Sequence, residues 1–436
     1  MRPSTERGLE RDRSRRDHLV IPAKDILERT VLLARDQVPP SVPDPEIVEA
    51  FTQTRVGIRL STAVLESTGG VTALETLRVL LAGLCLPMRL EITGRDRATR
   101  LRPPFSSGHW LEALHQYRSQ ASAPLETGPL GDSCLVQLSL GVEHPRSLYL
   151  AADDKDSYLG RGAIGRSWAA ASPWTGARTA VLAVAESYKA VLRQLTAGSP
   201  LAEGPAAELA ALAACRVPLP YGANHFEVPR VTDFVSAGAI NNCALFMLMR
   251  MDVAINGRIW DAESVDASNF NRYPLLDVES LGQPKVDATA GIGSRHFSLV
   301  PWRQRFDSTA ADADGAIVVG ADRVDARWEA ARRRPELAII GATDHFLTMD
   351  SSHRPTSLGC PGCIHPVDDG VFGDVPTVSF VSMAAGIGVA ARWCGRLEVG
   401  GYTLIPSWLR MDSKVAQIVD AVPRNPRCPI SGAHEG

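Results

Sequence analysis

From Val231 onward the chain alternates short apolar runs with longer stretches whose apolar residues recur every three or four positions. "VTDFVSAG", "GRIWD", "HFSLVPW", "GAIVVGAD" and "ELAIIGAT" have the length and β-branched content of strands. "INNCALFMLMRMDV", "VDARWEAARRR" and "PTVSFVSMAAGIGVAARWC" have helical spacing. Strand and helix in turn predict a mostly parallel sheet with helices on both faces. In such a sheet, ligands bind outside the carboxyl ends of the strands.

This Rossmann-like α/β reading covers 216–436. Upstream, "GGVTALETLRVLLAGL" predicts a helix, "CLVQLSLG" and "SLYLAA" predict strands, and "PWTGARTAVLAVAESYKAVLRQL" predicts a second helix. Residues 46–215 are therefore an α/β or mainly helical N-terminal domain. Pro-rich "DQVPPSVPDPE" and "TAGSPLAEGPAAELAA" read as linkers, and 1–45 as a disordered tail and linker. "SPWTGARTAVLAVAESYKAVL" echoes "VPTVSFVSMAAGIGVAARWC" in its Pro, its small residues and its helical run. Two readings stay open there, a degenerate repeat and an ordinary Ala-rich helix.

Composition narrows the classes of function. With 436 residues, 45% hydrophobic and 22% charged, the chain can bury two cores. A formal net charge of −3 gives no electrostatic case for nucleic acid or an anionic membrane. The most apolar stretch, "LRVLLAGLCLPM", is too short to span a bilayer, and the N-terminus has no apolar segment of a secretory signal. A cytoplasmic protein is expected. Of eight cysteines, only Cys360 and Cys363 form a tight pair, which in a reducing compartment suggests metal before disulfide.

Candidate chemistry gathers after the first strand of the second half. In "VSAGAINN", small residues and Gly238 let a nucleotide approach the backbone, and the helix that begins there offers amides to phosphate. Asp261 stands at the next strand end, where an acid accepts hydrogen bonds from ribose hydroxyls. Asn269 and Arg272 can grip phosphate oxygens, and Lys285 adds a compact cation. Asp322 ends the strand of "GAIVVGAD", suited to Mg²⁺, which takes a carboxylate together with phosphate oxygens. Cys360 and Cys363 of "LGCPGCIHP" can present two thiolates to one tetrahedral ion, with Cys428 as a third ligand and His434, His353 or His365 as candidates for the fourth.

"DAESVDASNFNRYPLLDVESLGQPKV" resembles the adenylating core of the ThiF/MoeB/HesA superfamily, the bacterial relatives of ubiquitin-activating enzymes. That family carries an acid at a strand end, then Asn, Arg and Gly-x-x-Lys; Asp261, Asn269, Arg272 and Lys285 fall on those positions. Asp322 and Arg327 match a later Asp-Asn-x-x-x-Arg element, and "CPGCIHP" with "NPRCPISG" matches the two halves of a structural zinc site. The chain departs from the pattern in its single-glycine loop, in Tyr273 after Arg272 and in Ser431 at the last zinc position. No N-terminal Arg-rich element of the family is found.

The resemblance implies an adenylyltransferase using ATP and Mg²⁺, with structural Zn²⁺. Arg272, Lys285 and Asp322 would be catalytic, and Gly238, Asp261, Asn269, Arg272 and Lys285 would bind the nucleotide. Asp322, Cys360, Cys363 and Cys428 would be metal ligands. The substrate would be the exposed C-terminus of a ubiquitin-like protein, a sulfur carrier or a peptide, recognised by residues 46–215. A homodimer is compatible with the family. No acceptor cysteine is assigned, and Cys394 reads as packed. The rival readings are a catalytically degenerate nucleotide- or partner-binding module and an NAD-dependent oxidoreductase.

Overall fold

The computed structural model describes residues 20–95, 99–106, 108–118, 123–161, 167–196, 214–218, 231–292, 297–307, 315–367, 376–397, 399–408 and 417–430. The first sheet is built from β1 (Arg55–Ser61), β2 (Met88–Thr93), β3 (Leu125–Thr127), β4 (Cys134–Leu140), β5 (Leu148–Ala152), β6 (Asp156–Arg161) and β7 (Ala214–Pro218), in the order β3-β2-β1-β4-β5-β6-β7. The second holds β8 (Thr232–Val235), β9 (Ile255–Trp260), β10 (Phe297–Trp302), β11 (Ala316–Val319), β12 (Leu337–Asp344), β13 (Leu347–His353), β14 (Gly401–Ile405) and β15 (Ile418–Ala421), in the order β10-β9-β8-β11-β12-β13-β14-β15. Each sheet has five parallel strands followed by antiparallel ones. Strand order and direction in the first sheet are repeated through the first seven strands of the second.

The N-terminal half is thus α/β, and the mainly helical alternative is excluded. The helices follow the same repetition. Between β1 and β2 runs α4 (Thr68–Gly83), and between β6 and β7 runs α6 (Pro173–Thr196). Their counterparts are α7 (Ala239–Arg250), between β8 and β9, and α11 (Ser379–Trp393), between β13 and β14. The two echoing segments of the sequence are α6 and α11, in the same place in their respective sheets. α4 packs on α6, α7 on α11, and α6 on α11. Each of these helices meets both its own half and the other, which is why all four are buried nearly all round.

A buried ion pair locks this contact. Arg250 Nε on α7 lies 3.1 Å from Glu75 Oε2 on α4, both fully buried. The Arg250 guanidinium also donates to the Pro103 and Phe246 carbonyls, and Arg102 N donates to Glu75. Burial pushes the Glu75 carboxyl up, against the pull of Arg250. Removing either partner strands a charge in the interior, at a cost of about 3–5 kcal/mol.

The outer faces of the two sheets differ. In the second half α9 (Val324–Arg332) covers Val235, Ile317, Val319 and Ile340. In the first half the β4–β5 connection is too short for a helix, and the corresponding face carries Arg59, hydrogen-bonded to Gln137 and Ser147.

Part of the expected tail is folded. α1 (Ala23–Ile26) and α2 (Glu28–Arg35) occupy 20–45, with Ile26, Leu27 and Leu33 fully buried, and α3 (Asp44–Gln53) crosses the expected boundary at 46. The spacing of "ILERTVLLA" carries these helices, and its flanking charges and prolines hide it. Residues 1–19 and most of the linker after Thr196 lie outside the described residues. No helix among the described residues is long and apolar enough to cross a membrane.

Candidate active site

At the carboxyl ends of β8, β9 and β11 the second half opens a cavity of about 580 Å³. Gly238, Asp261, Asn269, Arg272, Lys285 and Asp322 all line it. These are the five residues that the sequence nominates for the nucleotide and the one it nominates for Mg²⁺, brought together from a stretch of 85 positions. The sulfur cluster lies elsewhere.

The turn after β8 is shaped by its side chains. Ser236 adopts the left-handed conformation (φ 75°). Its hydroxyl accepts from Gly238 N (2.9 Å) and donates to Asp261 Oδ2 (3.2 Å), which also accepts from Ala237 N (2.9 Å). A Cβ at Gly238 would meet Ser236 Oγ at 2.7 Å, so the single glycine stands where the turn is tightest. Gly238 is the N-cap of α7, which has no side-chain cap; Ala239 and Ile240 of its first turn line the cavity. Uncapped amides at a helix start suit phosphate oxygens.

Asp261 does more than end a strand. Oδ1 accepts from Glu263 N (2.9 Å) while Oδ2 holds the β8 turn. Burial pushes its carboxyl up, against these amides and Lys285. Two carboxylate oxygens offer about four acceptor positions, of which three are taken, so one remains for a ribose hydroxyl.

The cations follow on irregular chain. Asp266 and Asn269 form a reciprocal cap on the 3₁₀ turn Ala267–Asn271, with Asn269 Oδ1 accepting from Asp266 N. The Asn269 oxygen is thus spoken for, and its amide group is what remains to face a ligand. Arg272 Nη1 is braced by Ser268 O and Asn271 Oδ1. Lys285, at the start of α8 (Lys285–Ala290), is ion-paired with Glu263, which is largely exposed. Burial alone would lower the Lys285 pKa, but Tyr273, Glu263 and Asp261 outweigh it and raise it. The ammonium is therefore held charged. Tyr273, the departure from the family pattern, packs its ring 5.6 Å from both Arg272 and Lys285.

Further cavity residues escape the sequence reading. Arg29, on α2, lines the cavity from the N-terminal segment. Its neighbour Thr30 accepts from Asn271 Nδ2 at 3.3 Å. An arginine from the N-terminal segment therefore reaches this site, although no Arg-rich element is legible in the sequence. Trp260, stacked on Trp302 at 4.6 Å, and Phe306 form an apolar wall. On the far side Arg327 donates to Ala321 O and shares a hydrogen bond with His365 Nε2 (2.8 Å). Burial draws its pKa down to about 10, against the pull of Asp322, so it stays cationic at neutral pH.

Asp322 is one carboxylate. Mg²⁺ is commonly held by one or two carboxylates plus nucleotide phosphates, so the donor set fits the ion with a nucleotide present. Among the described residues, the one group of three or more side chains suited to a metal by itself is Cys360, Cys363 and Cys428. Cys360 Sγ lies 3.9 Å from Cys363 Sγ and 3.5 Å from Cys428 Sγ. A Zn–S bond of about 2.3 Å sets tetrahedral S···S edges near ~3.8 Å, so the cluster fits three corners. Burial, with the neighbouring sulfurs, pushes the Cys360 thiol up to about 12.

The candidates for the fourth ligand narrow. His353 is occupied at both nitrogens, by Gly359 O and Ser351 Oγ, and His365 is turned to Arg327. Ser431 and His434 lie outside the described residues. Cys394 is mostly buried and burial pushes its thiol up to about 12, in keeping with a packed side chain.

No protein-family model matches this chain, and no curated protein matches it. Solved structures of similar fold include E. coli MccB with MccA-N7isoASN, at 15% identity over 46% of this chain and 66% of that one, TM-score 0.38. They also include E. coli MccB with ATP (12% identity, 66% of this chain and 98% of that one, TM-score 0.37) and PaaA (15%, 44% and 64%, TM-score 0.32). In the first of these matches the chain covers just under two thirds of MccB. Likeness at this level carries no argument about chemistry, which has to come from the cavity.

Proposed function

We propose that this protein activates a C-terminal carboxylate, that of a peptide or small protein, by ATP-dependent adenylation. The observation that carries the reading is the meeting of Gly238, Asp261, Asn269, Arg272, Lys285 and Asp322 in one cavity at the strand ends. A ribose anchor, phosphate cations and a metal-suited carboxylate are the parts that adenylyl transfer needs, and a solvated loop needs none of them.

In this scheme a carboxylate oxygen of the substrate attacks the α-phosphorus of ATP. A new P–O bond forms, the bond to the β-phosphate oxygen breaks, and pyrophosphate leaves with that electron pair. Asp261 holds the ribose, and Trp260 and Phe306 offer an apolar surface to the base. The first amides of α7 and the side chains of Asn269, Arg272 and Lys285 take the charge that spreads over the phosphates. Lys285 must exchange Glu263 for phosphate when the nucleotide enters. Asp322 would hold Mg²⁺, whose contribution is to neutralise phosphate oxygens. The protein makes no covalent bond to the substrate, so positioning and fixed charge supply the rate. Cys360, Cys363 and Cys428 would hold a structural Zn²⁺ remote from the reaction.

Residues 46–215 are proposed as the recognition half. The second reading is a binding module without catalysis, favoured by a β8 turn that Ser236 and Asp261 already close. The third, a dinucleotide oxidoreductase, leaves Asn269, Arg272 and Lys285 without work.

Titration calorimetry separates nucleotides. Mg·ATP is expected to bind, NAD to compete poorly, and Asp261→Ala to weaken ATP about tenfold or more through the lost charged hydrogen bonds. Tight NAD binding with none for ATP would replace adenylation with the oxidoreductase reading.

A further inference from the structure

The bonds within the segment carrying Asn269 and Arg272 are supplemented from outside it. Beyond the 3₁₀ turn, residues 272–277 form no helix or strand, yet Phe270, Tyr273, Leu275 and Leu276 are at most 3% exposed. Buried carbonyls outside a ladder need donors from somewhere. They come from the other half of the chain. Arg118, 5% exposed, sends Nε to Leu276 O (3.1 Å) and Nη2 to the same oxygen (2.7 Å). Nη1 donates to Phe270 O, and Nη2 also to Tyr273 O. The adjacent Tyr117 hydroxyl donates to Pro274 O at 2.9 Å.

Four carbonyls of one short loop are thus met by two consecutive residues that follow α5 (Trp110–Gln116). The guanidinium also lies over the Phe270 ring at 5.6 Å. Arg118 itself sits in the left-handed region (φ 49°), a conformation that costs a non-glycine residue energy and persists where the surroundings impose it. From the opposite side Asn242 Oδ1, on α7, accepts from Leu275 N (2.9 Å). Arg272 lies between two of the clamped carbonyls, those of Phe270 and Tyr273, and Asn269 directly precedes the first.

We propose that Arg118 is a positioning residue: the first half uses its guanidinium to fix the loop that presents Asn269 and Arg272 to the nucleotide cavity of the second. This rests on the adenylation reading for its catalytic consequence, but the clamp is measurable without it. It gives the first half a task in the chemistry beyond recognition, because a residue from 46–215 holds the loop whose Asn269 and Arg272 line the cavity. Geometry selects arginine here: its four bonds leave from three nitrogens spread over a planar fork, whereas the three donors of an ammonium share one nitrogen and cannot span the same carbonyls.

The test uses the full chain with Arg118→Ala, and Arg118→Lys where the alanine variant does not fold. Hydrogen exchange of the unliganded protein is read first. Amides of 272–277 are expected to lose protection by about tenfold or more, with those of β8 and β11 unchanged. Unchanged protection of the loop in Arg118→Ala, or in Arg118→Lys where the alanine variant does not fold, overturns the clamp.

Pyrophosphate exchange is read second. Arg118→Ala is expected to lower kcat about 30-fold, with a much smaller change in the KM for ATP, and to add less than about threefold in an Arg272→Ala background. Losses that multiply in full mean general support to the fold, and overturn a role through Arg272. A wild-type protein that catalyses no exchange sinks the adenylation reading instead, while the hydrogen-exchange result still decides whether Arg118 holds the loop.

Discussion

Lys285→Ala and Arg272→Ala are each expected to lower ATP–pyrophosphate exchange by about a hundredfold or more. Each removes a cation from the place where negative charge crowds as the β-phosphate departs, and preorganised charge of this kind is commonly worth about 3–4 kcal/mol in the transition state. The two variants should differ in kind. Lys285 is 7% exposed and its partner Glu263 is 72% exposed, so Lys285→Ala frees a carboxylate that water can solvate, and the fold should hold. Arg272 braces the turn through Ser268 O and Asn271 Oδ1, so its loss should also loosen that turn. Stopped-assay exchange kinetics with a melting curve for each variant checks both. Near-normal exchange in both would remove these residues from the site.

Chelation is expected to have the largest effect on stability. If Cys360, Cys363 and Cys428 share Zn²⁺, the ion ties the segment after β15 back to α10 (Pro361–Ile364), which otherwise holds it by bonds such as Asn425 Nδ2 to Cys363 O at 3.2 Å. Metal bound only by the folded chain adds its binding free energy to folding. Protein purified without added metal should carry about one zinc per chain, and a strong chelator should lower the melting temperature by about 5–10 °C. Cys428→Ser should release the C-terminal segment and leave ATP binding intact, because none of the three sulfurs lines the cavity. Metal content near zero, with no shift on chelation, would mean that the three thiols simply pack together.

The second half was legible because its strands are short apolar runs ended by the residues that do the work. Asp261 and Asp322 both mark the carboxyl end of a strand, where an acid interrupts the apolar pattern. β13 was harder to see: Asp350, Ser351 and Ser352 look like a loop, yet Arg392 on α11 pairs with Asp350 and donates to Ser352 in the interior. Buried polar networks erase the alternation from which strands are read. The first half kept the strand order of the second without its strand-end acids, so its architecture could not be inferred from site residues. Only the likeness of α6 to α11 betrayed it, and small-residue helices are too common for that to decide. Arg29 and Arg118 were invisible for another reason. Arg29 lines a cavity built more than 200 positions downstream, Arg118 bonds a loop about 150 positions away, and no local pattern marks an arginine that works at such a distance.

Adenylation is tested most directly by ATP–pyrophosphate exchange on the wild-type chain, with Mg²⁺ and peptides that end in either a free carboxylate or an amide. Exchange that appears with the free carboxylate, vanishes with the amide and is lost in Lys285→Ala is the predicted result. Absence of exchange with every carboxylate peptide tried, by protein that binds ATP, would contradict it and leave a nucleotide-binding module in its place.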